Sequence, residues 1–345
     1  MSISRLLSEL IVILAALILL GSCAGNKGNH YPLDASYLRY EDLGLRLTAL
    51  MKAHPDDCRL HLIGFSGAEQ LPLYALQIGG PGLTRKALVI GQHHGDEVLG
   101  IEVALALAEN FLTGKDKATL EILKNFQIWI VPTINPEGWR VVSGGQYQWK
   151  RRNNRDTNGN GVLDLREDGV DLNRNYPLFW ELDQLTAVTD PYYKGPAPGS
   201  EAEVQAIMKL AGEEKFELAV FYHSSASGAY NEKLYLPSNQ GLEKHKLEDF
   251  KHLTETAEYY ASQVKKDYQK GTYEVRSQGN SRMGNARNYF FFKQNCQAFL
   301  IEIGGINQAG VPIVHPPAAM MHSIRSKHVN AFKNTLLRLL EQKKD

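Results

Sequence analysis

The sequence has no excess of charge in either direction: 38 Lys and Arg stand against 38 Asp and Glu in 345 residues. A chain so balanced lacks the basic field that draws nucleic acid or acidic membranes, so no nucleic-acid partner is expected and any ligand must be read from local sites. Cysteine is scarce, at 3. One lies in the N-terminal apolar segment, leaving Cys58 and Cys296, whose separation says nothing about proximity. A disulfide and two buried free thiols both stay open. The apolar run Leu10 to Leu20 is too short to read as a membrane span. No stretch repeats, and no block is of low complexity.

The first 23 residues form a unit of their own, with a weak basic start at Arg5, the apolar run, and then Leu20-Gly21-Ser22-Cys23. That is the pattern of a secretory signal. The last four residues resemble the lipobox of bacterial lipoproteins, which implies cleavage before Cys23 and lipidation of its thiol. The expected organisation is a signal peptide over 1–22, a lipidated tether over 23–36 rich in Gly, Asn and Lys, and one catalytic domain over 37–345. Glu9 beside the apolar run fits poorly, and an uncleaved N-terminal anchor is the alternative. Both readings place the domain in a bacterial cell envelope, membrane-anchored, on the periplasmic or extracellular face.

The domain's length suits a single sheet covered by helices. Helical spacing is expected over Tyr37 to Met51, Val98 to about Phe111, Glu201 to Leu210 with Ser200 as N-cap, Leu242 to Lys266 and Ala318 to Leu340. Strands are expected at Leu60 to Ile63, Leu73 to Ile78, Ala87 to Ile90, Gln127 to Pro132, Glu217 to Tyr222 and Ala298 to Ile303. Asn135-Pro136-Glu137-Gly138 reads as a turn. The alternation predicts an α/β fold, a central mixed and mostly parallel sheet flanked by helices, with its site on loops at strand ends. The long irregular stretch from there to about Pro198 is where function is expected.

Chemistry enters at Gly91-Gln92-His93-His94-Gly95-Asp96-Glu97. A strand that stops at a polar turn can hold His94 and Glu97 facing one point, two of the three protein ligands a catalytic zinc takes. His223, at the end of a strand far along the chain, is the natural third, and His93 is the local competitor. His-x-x-Glu alone is weak evidence, since helix starts of that composition are common on surfaces.

Gly169-Val170-Asp171-Leu172-Asn173-Arg174-Asn175-Tyr176 adds specificity. With His-x-x-Glu, Asn135-Pro136-Glu137-Gly138, Ser200-Glu201-Ala202-Glu203 and Phe299-Leu300-Ile301-Glu302 in this order, the chain resembles the zinc carboxypeptidases of the carboxypeptidase A type from about Tyr37 to Leu340. The resemblance implies Zn2+ held by His94, Glu97 and His223, and Glu302 as the general base toward the attacking water. It makes Asn173 and Arg174 the grip on a peptide's free C-terminal carboxylate, for which a guanidinium fork is suited. An oxyanion-stabilising arginine is implied within Trp149 to Arg155, as Arg151 when aligned from Asp156 and as Arg152 when aligned on Arg155. A substrate-capping tyrosine is implied, with Tyr273 and Tyr289 as candidates. Counting back from Glu302 puts Arg287 near the position facing the substrate's terminal side chain. The implied activity is metallocarboxypeptidase, with a cell-wall (peptidoglycan) peptide amidase and a catalytically inactive peptide-binding relative as alternatives.

Asp156 to Glu167 fits the calcium-loop pattern, with Asp156, Asn158, Asn160, Val162 through its carbonyl, Asp164 and Glu167 at the ligand positions and Gly161 at the sharp turn. Ca2+ is therefore a candidate second cofactor, in an insert between the arginine segment and the carboxylate grip.

Overall fold

The structure is a computed structural model describing residues 33–342 apart from 226, 241, 278–283 and 308. Cys23 and the expected signal segment lie outside the described residues. Eight strands form one sheet in the order β1-β2-β4-β3-β5-β8-β6-β7. They are β1 (Cys58–Phe65), β2 (Pro72–Ile78), β3 (Arg85–Ile90), β4 (Phe126–Val131), β5 (Leu218–Ser224), β6 (Lys233–Tyr235), β7 (Glu274–Arg276) and β8 (Gln297–Ile303). The central run β4-β3-β5-β8 is parallel throughout. β2 joins it antiparallel, and β1 and β6 extend the sheet antiparallel.

The central strands read as unbroken apolar runs because both faces are covered. β5 shows this in adjacent residues. Phe221 packs on Phe290 of the helix Ala286–Lys293, whereas Tyr222, pointing to the opposite face, bonds Tyr260 of the helix Leu247–Gln263 at 2.9 Å. Tyr260 in turn meets His328 of the last helix, Ala318–Glu341. Along that face Leu99–Thr113 is buried on nearly every side, as expected of a helix caught between sheet and helices.

Several expectations shift. Asn135-Pro136-Glu137-Gly138 opens a helix, Pro136–Ser143, whose N-cap Asn135 accepts the Gly138 N–H; proline at the first helical position was the signal. Ser200 is not a cap: the helix runs Ala202–Glu214 with Glu201 at the N-cap position and no side-chain capping bond. Lys117–Asn125, capped by Asp116, was not expected, nor were β6, β7 and Ala286–Lys293. Leu33, inside the expected tether, is already buried against the domain. Cys58 begins edge strand β1 and Cys296 precedes β8, with four strands between them in the sheet; both are free and buried.

Candidate active site

In an open α/β sheet, ligands bind beyond the carboxyl ends of strands where the chain order reverses. Here β3 is followed by its neighbour β4 on one side, while β5 is followed in the sheet by β8 on the other, and the crevice between β3 and β5 lies at that switch. His94 follows β3, His223 is the penultimate residue of β5, and Glu302, paired in register with His223, lies near the end of β8. All line one pocket of about 560 Å³ with Glu97, Asp96, Arg151, Asn173, Arg174 and Arg287.

The turn carrying His94 and Glu97 is fixed from below. Asn135 donates to the His93 and Arg151 carbonyls at 3.1 and 3.0 Å, tying the metal turn to the arginine segment. Gly95 N–H reaches the Arg151 carbonyl at 3.0 Å, and Glu97 N–H closes onto His94 O. Gly95 is required by approach: a Cβ there would lie 2.4 Å from the Gly138 carbonyl carbon and 2.6 Å from Lys150 O.

His94 Nδ1 lies 2.8 Å from Glu97 Oε1 and 3.0 Å from His223 Nδ1, and His223 Nδ1 lies 2.8 Å from Glu97 Oε2. Among the described residues this buried trio is the group able to hold a metal. His94 Nε2 lies 3.1 Å from Asp171 Oδ1. Burial would raise the Asp171 pKa, but Arg151 and His94 hold it well below the usual carboxylate range. Asp171 is then acceptor only, so Nε2 carries a proton and Nδ1 is the ring atom turned toward Glu97 and His223. Two imidazole nitrogens and a carboxylate converge on one point, where one divalent cation can be shared among them. Nitrogen and oxygen donors in threes, leaving a position open, are the set zinc takes at roughly 2.0–2.2 Å, and these residues fit it.

The charges are strongly interdependent. Burial pulls His94 down and Arg151 adds to that, yet Glu97 and Asp171 hold it above its ordinary value. Burial lowers His223 to about 4 against the pull of Glu97. Burial, then repulsion from Glu97, pushes Glu302 up to about 8, a repulsion that a cation on Glu97 would cancel. Glu302 Oε2 is buried without a hydrogen-bond partner among the described residues.

His93 stands outside the trio. Its ring is buried, stacked on His223 at 5.2 Å and 3.2 Å from the Tyr176 hydroxyl. Arg151 reaches the pocket, donating Nε to Asp171 Oδ2 at 3.0 Å with Nη1 3.3 Å from Glu97 Oε1. Arg152 turns the other way, to the carbonyls of Val188, Asp190 and Arg166. Neither Tyr273 nor Tyr289 lines the pocket: Tyr273 is buried against His328, and Tyr289 packs at a tilt against Tyr176. The pocket's tyrosines are Tyr192, Tyr230 and Tyr235. The Tyr192 ring lies against both Arg151 and Arg174. Asp171 and Asn135 lie inside motifs that the sequence singles out, but their roles come from contacts with residues distant in the chain.

In the 156–167 insert, side-chain oxygens turn to the loop's own N–H groups. Asp156 accepts from Gly159 and Gly161, Asn158 from Asn160, Asn160 from Val162, and Asp164 from Arg166 and Glu167. Glu167 is exposed. The buried carboxylate is Asp168, one residue later, which accepts from Thr157 and Asp164.

Fold and site together are those of an α/β protein with a candidate divalent-metal centre at the ends of its parallel strands. The chain belongs to the zinc carboxypeptidase family, whose profile it matches over residues 46–330. The catalytic chain of carboxypeptidase N from Rattus norvegicus is 30% identical over 210 residues, covering 56% of this chain and 44% of that protein. Carboxypeptidase D from Anas platyrhynchos is 29% identical over 204 residues, 56% of this chain and 13% of that protein. The chain thus spans less than half the length of these curated relatives. Carboxypeptidase A from Helicoverpa armigera superposes with a TM-score of 0.74 at 18% identity, covering 97% of this chain and 80% of that one. Thrombin-activatable fibrinolysis inhibitor superposes at 0.72 and 18%, covering 88% and 75%. At such identity these two comparisons speak for the fold alone.

Proposed function

We propose that this chain is a zinc-dependent carboxypeptidase that hydrolyses the last amide bond of peptides with a free C-terminal carboxylate. What carries the reading is convergence in one pocket: the His94, Glu97 and His223 trio, the unpartnered oxygen of Glu302, and the Asn173 and Arg174 pair. Zinc, when bound by the trio, supplies a Lewis acid that activates water and polarises a carbonyl. Arg174 and Asn173 bind the terminal carboxylate and set the register. Asp171 fixes the Arg151 fork, so its free donors face the oxygen on which negative charge develops. Glu302 takes a proton from the attacking water and passes it to the departing amine. A peptide-binding module has no use for that base, which argues against an inactive relative. Incubation with a mixed peptide library and with muropeptides, with and without a chelator, tests this by product mass. Chelator-sensitive loss of C-terminal residues from ordinary peptides is expected; cleavage confined to muropeptides would make it a cell-wall amidase, and no cleavage at all would refute the reading.

The lipobox-like Leu20 to Cys23 supports attachment to a bacterial envelope membrane through lipid on Cys23, with residues 1–22 removed. The ligand pattern Asp156 to Glu167 supports Ca2+ in the insert, where it would stiffen the segment joining Arg151 to Asn173.

A further inference from the structure

The pocket contains three arginines, Arg151, Arg174 and Arg287, and they are not equivalent. Arg151 has its charge met by Asp171 and Glu97. Arg174 donates Nη1 to the Asn173 carbonyl and lies against Tyr192. Arg287 is 9% exposed, donates Nε to the Leu236 carbonyl at 2.9 Å, and forms no ion pair among the described residues. A buried guanidinium without a counter-ion is unfavourable unless something else brings the anion. Burial, with repulsion from Arg174, lowers its pKa only to about 10, so the group is cationic at neutral pH.

Its place in the site narrows what that anion is. Arg287 is the second residue of Ala286–Lys293, and the N–H of Ala286 is held by Asn173 Oδ1 at 3.0 Å. The helix that carries the unmatched cation is therefore hung from the carboxylate grip. Arg174 and Glu302 are the charges that bear on Arg287 most strongly, so it stands near both. A terminal residue with its carboxylate at Asn173 and Arg174 and its amide nitrogen toward Glu302 has its Cα between them. Arg287 lines the same pocket with Tyr235 and Leu300, which pair across β6 and β8, and Tyr235 is among the groups whose charge bears on Arg287; the terminal side chain is inferred to lie toward them.

Resting on the carboxypeptidase reading, we propose that Arg287 pairs with a side-chain carboxylate on the substrate's last residue, so that this chain selects peptides ending in an acidic amino acid. The rival role, a second hand on the α-carboxylate, would serve every terminal residue alike and is separable by experiment.

The test compares N-blocked dipeptides ending in Glu, Gln, Leu and Lys, using the zinc-loaded protein. A charge-assisted pair at a buried site predicts a kcat/KM about 10- to 100-fold higher for Glu than for Gln. In Arg287→Gln that ratio falls toward one, and in Arg287→Glu the Lys-ending peptide overtakes the Glu-ending one, with circular dichroism and melting confirming that each variant folds. Equal rates on Glu and Gln in the unaltered protein, or a uniform loss on all four peptides in Arg287→Gln, overturn the proposal. Calorimetric binding to zinc-loaded Glu302→Gln separates it from the activity itself. Tighter binding of the Glu-ending peptide there upholds the role of Arg287 even if no peptide is hydrolysed, and equal binding of the Glu and Gln peptides refutes it even if hydrolysis is seen.

Discussion

Asp171 receives the Arg151 guanidinium through Nε at 3.0 Å and through Nη2 at 2.9 Å, both on Oδ2, while its other oxygen holds His94. One buried carboxylate thus orients both the proposed metal ligand His94 and Arg151, the arginine proposed to face the reacting carbonyl. Asp171→Asn keeps the shape and removes the charge. Second-sphere losses of this kind cost about 10- to 100-fold in metal affinity, and kcat should fall beyond what zinc saturation restores, because the Arg151 fork loses its partner. Zinc affinity by competition with a chelator, followed by rates at saturating zinc, checks both parts; unchanged affinity would remove Asp171 from the design.

Gly95 tests the packing beneath the site. Its missing Cβ is what lets the metal turn lie on the backbone of Gly138 and Lys150. Gly95→Ala must displace backbone rather than a flexible side chain, so a loss of about 1–3 kcal/mol is expected in urea unfolding. Zinc affinity should drop with it, since the same turn carries His94 and Glu97. Stability equal to that of the unaltered chain would show that the turn has slack.

A buried acidic cluster away from the metal predicts pH-dependent stability. Burial, then repulsion from Glu137 and Glu201, pushes Glu203 up from its ordinary 4.5 to about 8. Among the described residues its Oε2 has no partner, whereas Glu137 accepts backbone N–H groups from Ala68, Glu69 and Asn154. Between pH 4.5 and about 8 the folded chain keeps a proton that the unfolded chain has released. Folding therefore weakens as pH rises through that window and levels off above it. Relative to the unaltered chain, Glu203→Gln should gain stability from pH 5 to pH 8; an unchanged difference in urea midpoints across that range would contradict the protonated state.

The insert makes a prediction of its own. After chelation, calorimetry with Ca2+ should show saturable uptake in the micromolar to millimolar range set by such loops, weakened by Glu167→Gln. Absence of uptake at millimolar concentration would leave the loop as a network of its own backbone turns closed by Asp168.

How far the sequence spoke for itself varied with the reach of each residue. His94, His223 and Glu302 were legible because each lies at the end of an apolar run, and such runs become adjacent strands ending on one edge. Arg151 and Arg152 were harder to separate: neighbours in an extended segment point opposite ways, and only the carbonyls of Val188, Asp190 and Arg166, brought from elsewhere, show where Arg152 goes. The tyrosines failed for a similar reason. Tyr273 was a candidate by position along the chain, but it is buried beside His328, while Tyr192 comes from the irregular stretch that carries no periodicity. Asn135 looked like part of a turn because its composition is that of one. It proved to cap a helix and to clamp two loops, a role set by what lies above it.

The most direct test of the account is Glu302→Gln. The glutamine preserves shape and hydrogen-bonding reach but cannot accept the proton from water. Zinc content and peptide affinity, measured by metal analysis and calorimetry, should match those of the unaltered protein, while kcat falls by about 10²- to 10⁴-fold. Retained turnover with bound zinc would contradict the central claim that Glu302 moves the proton in this pocket.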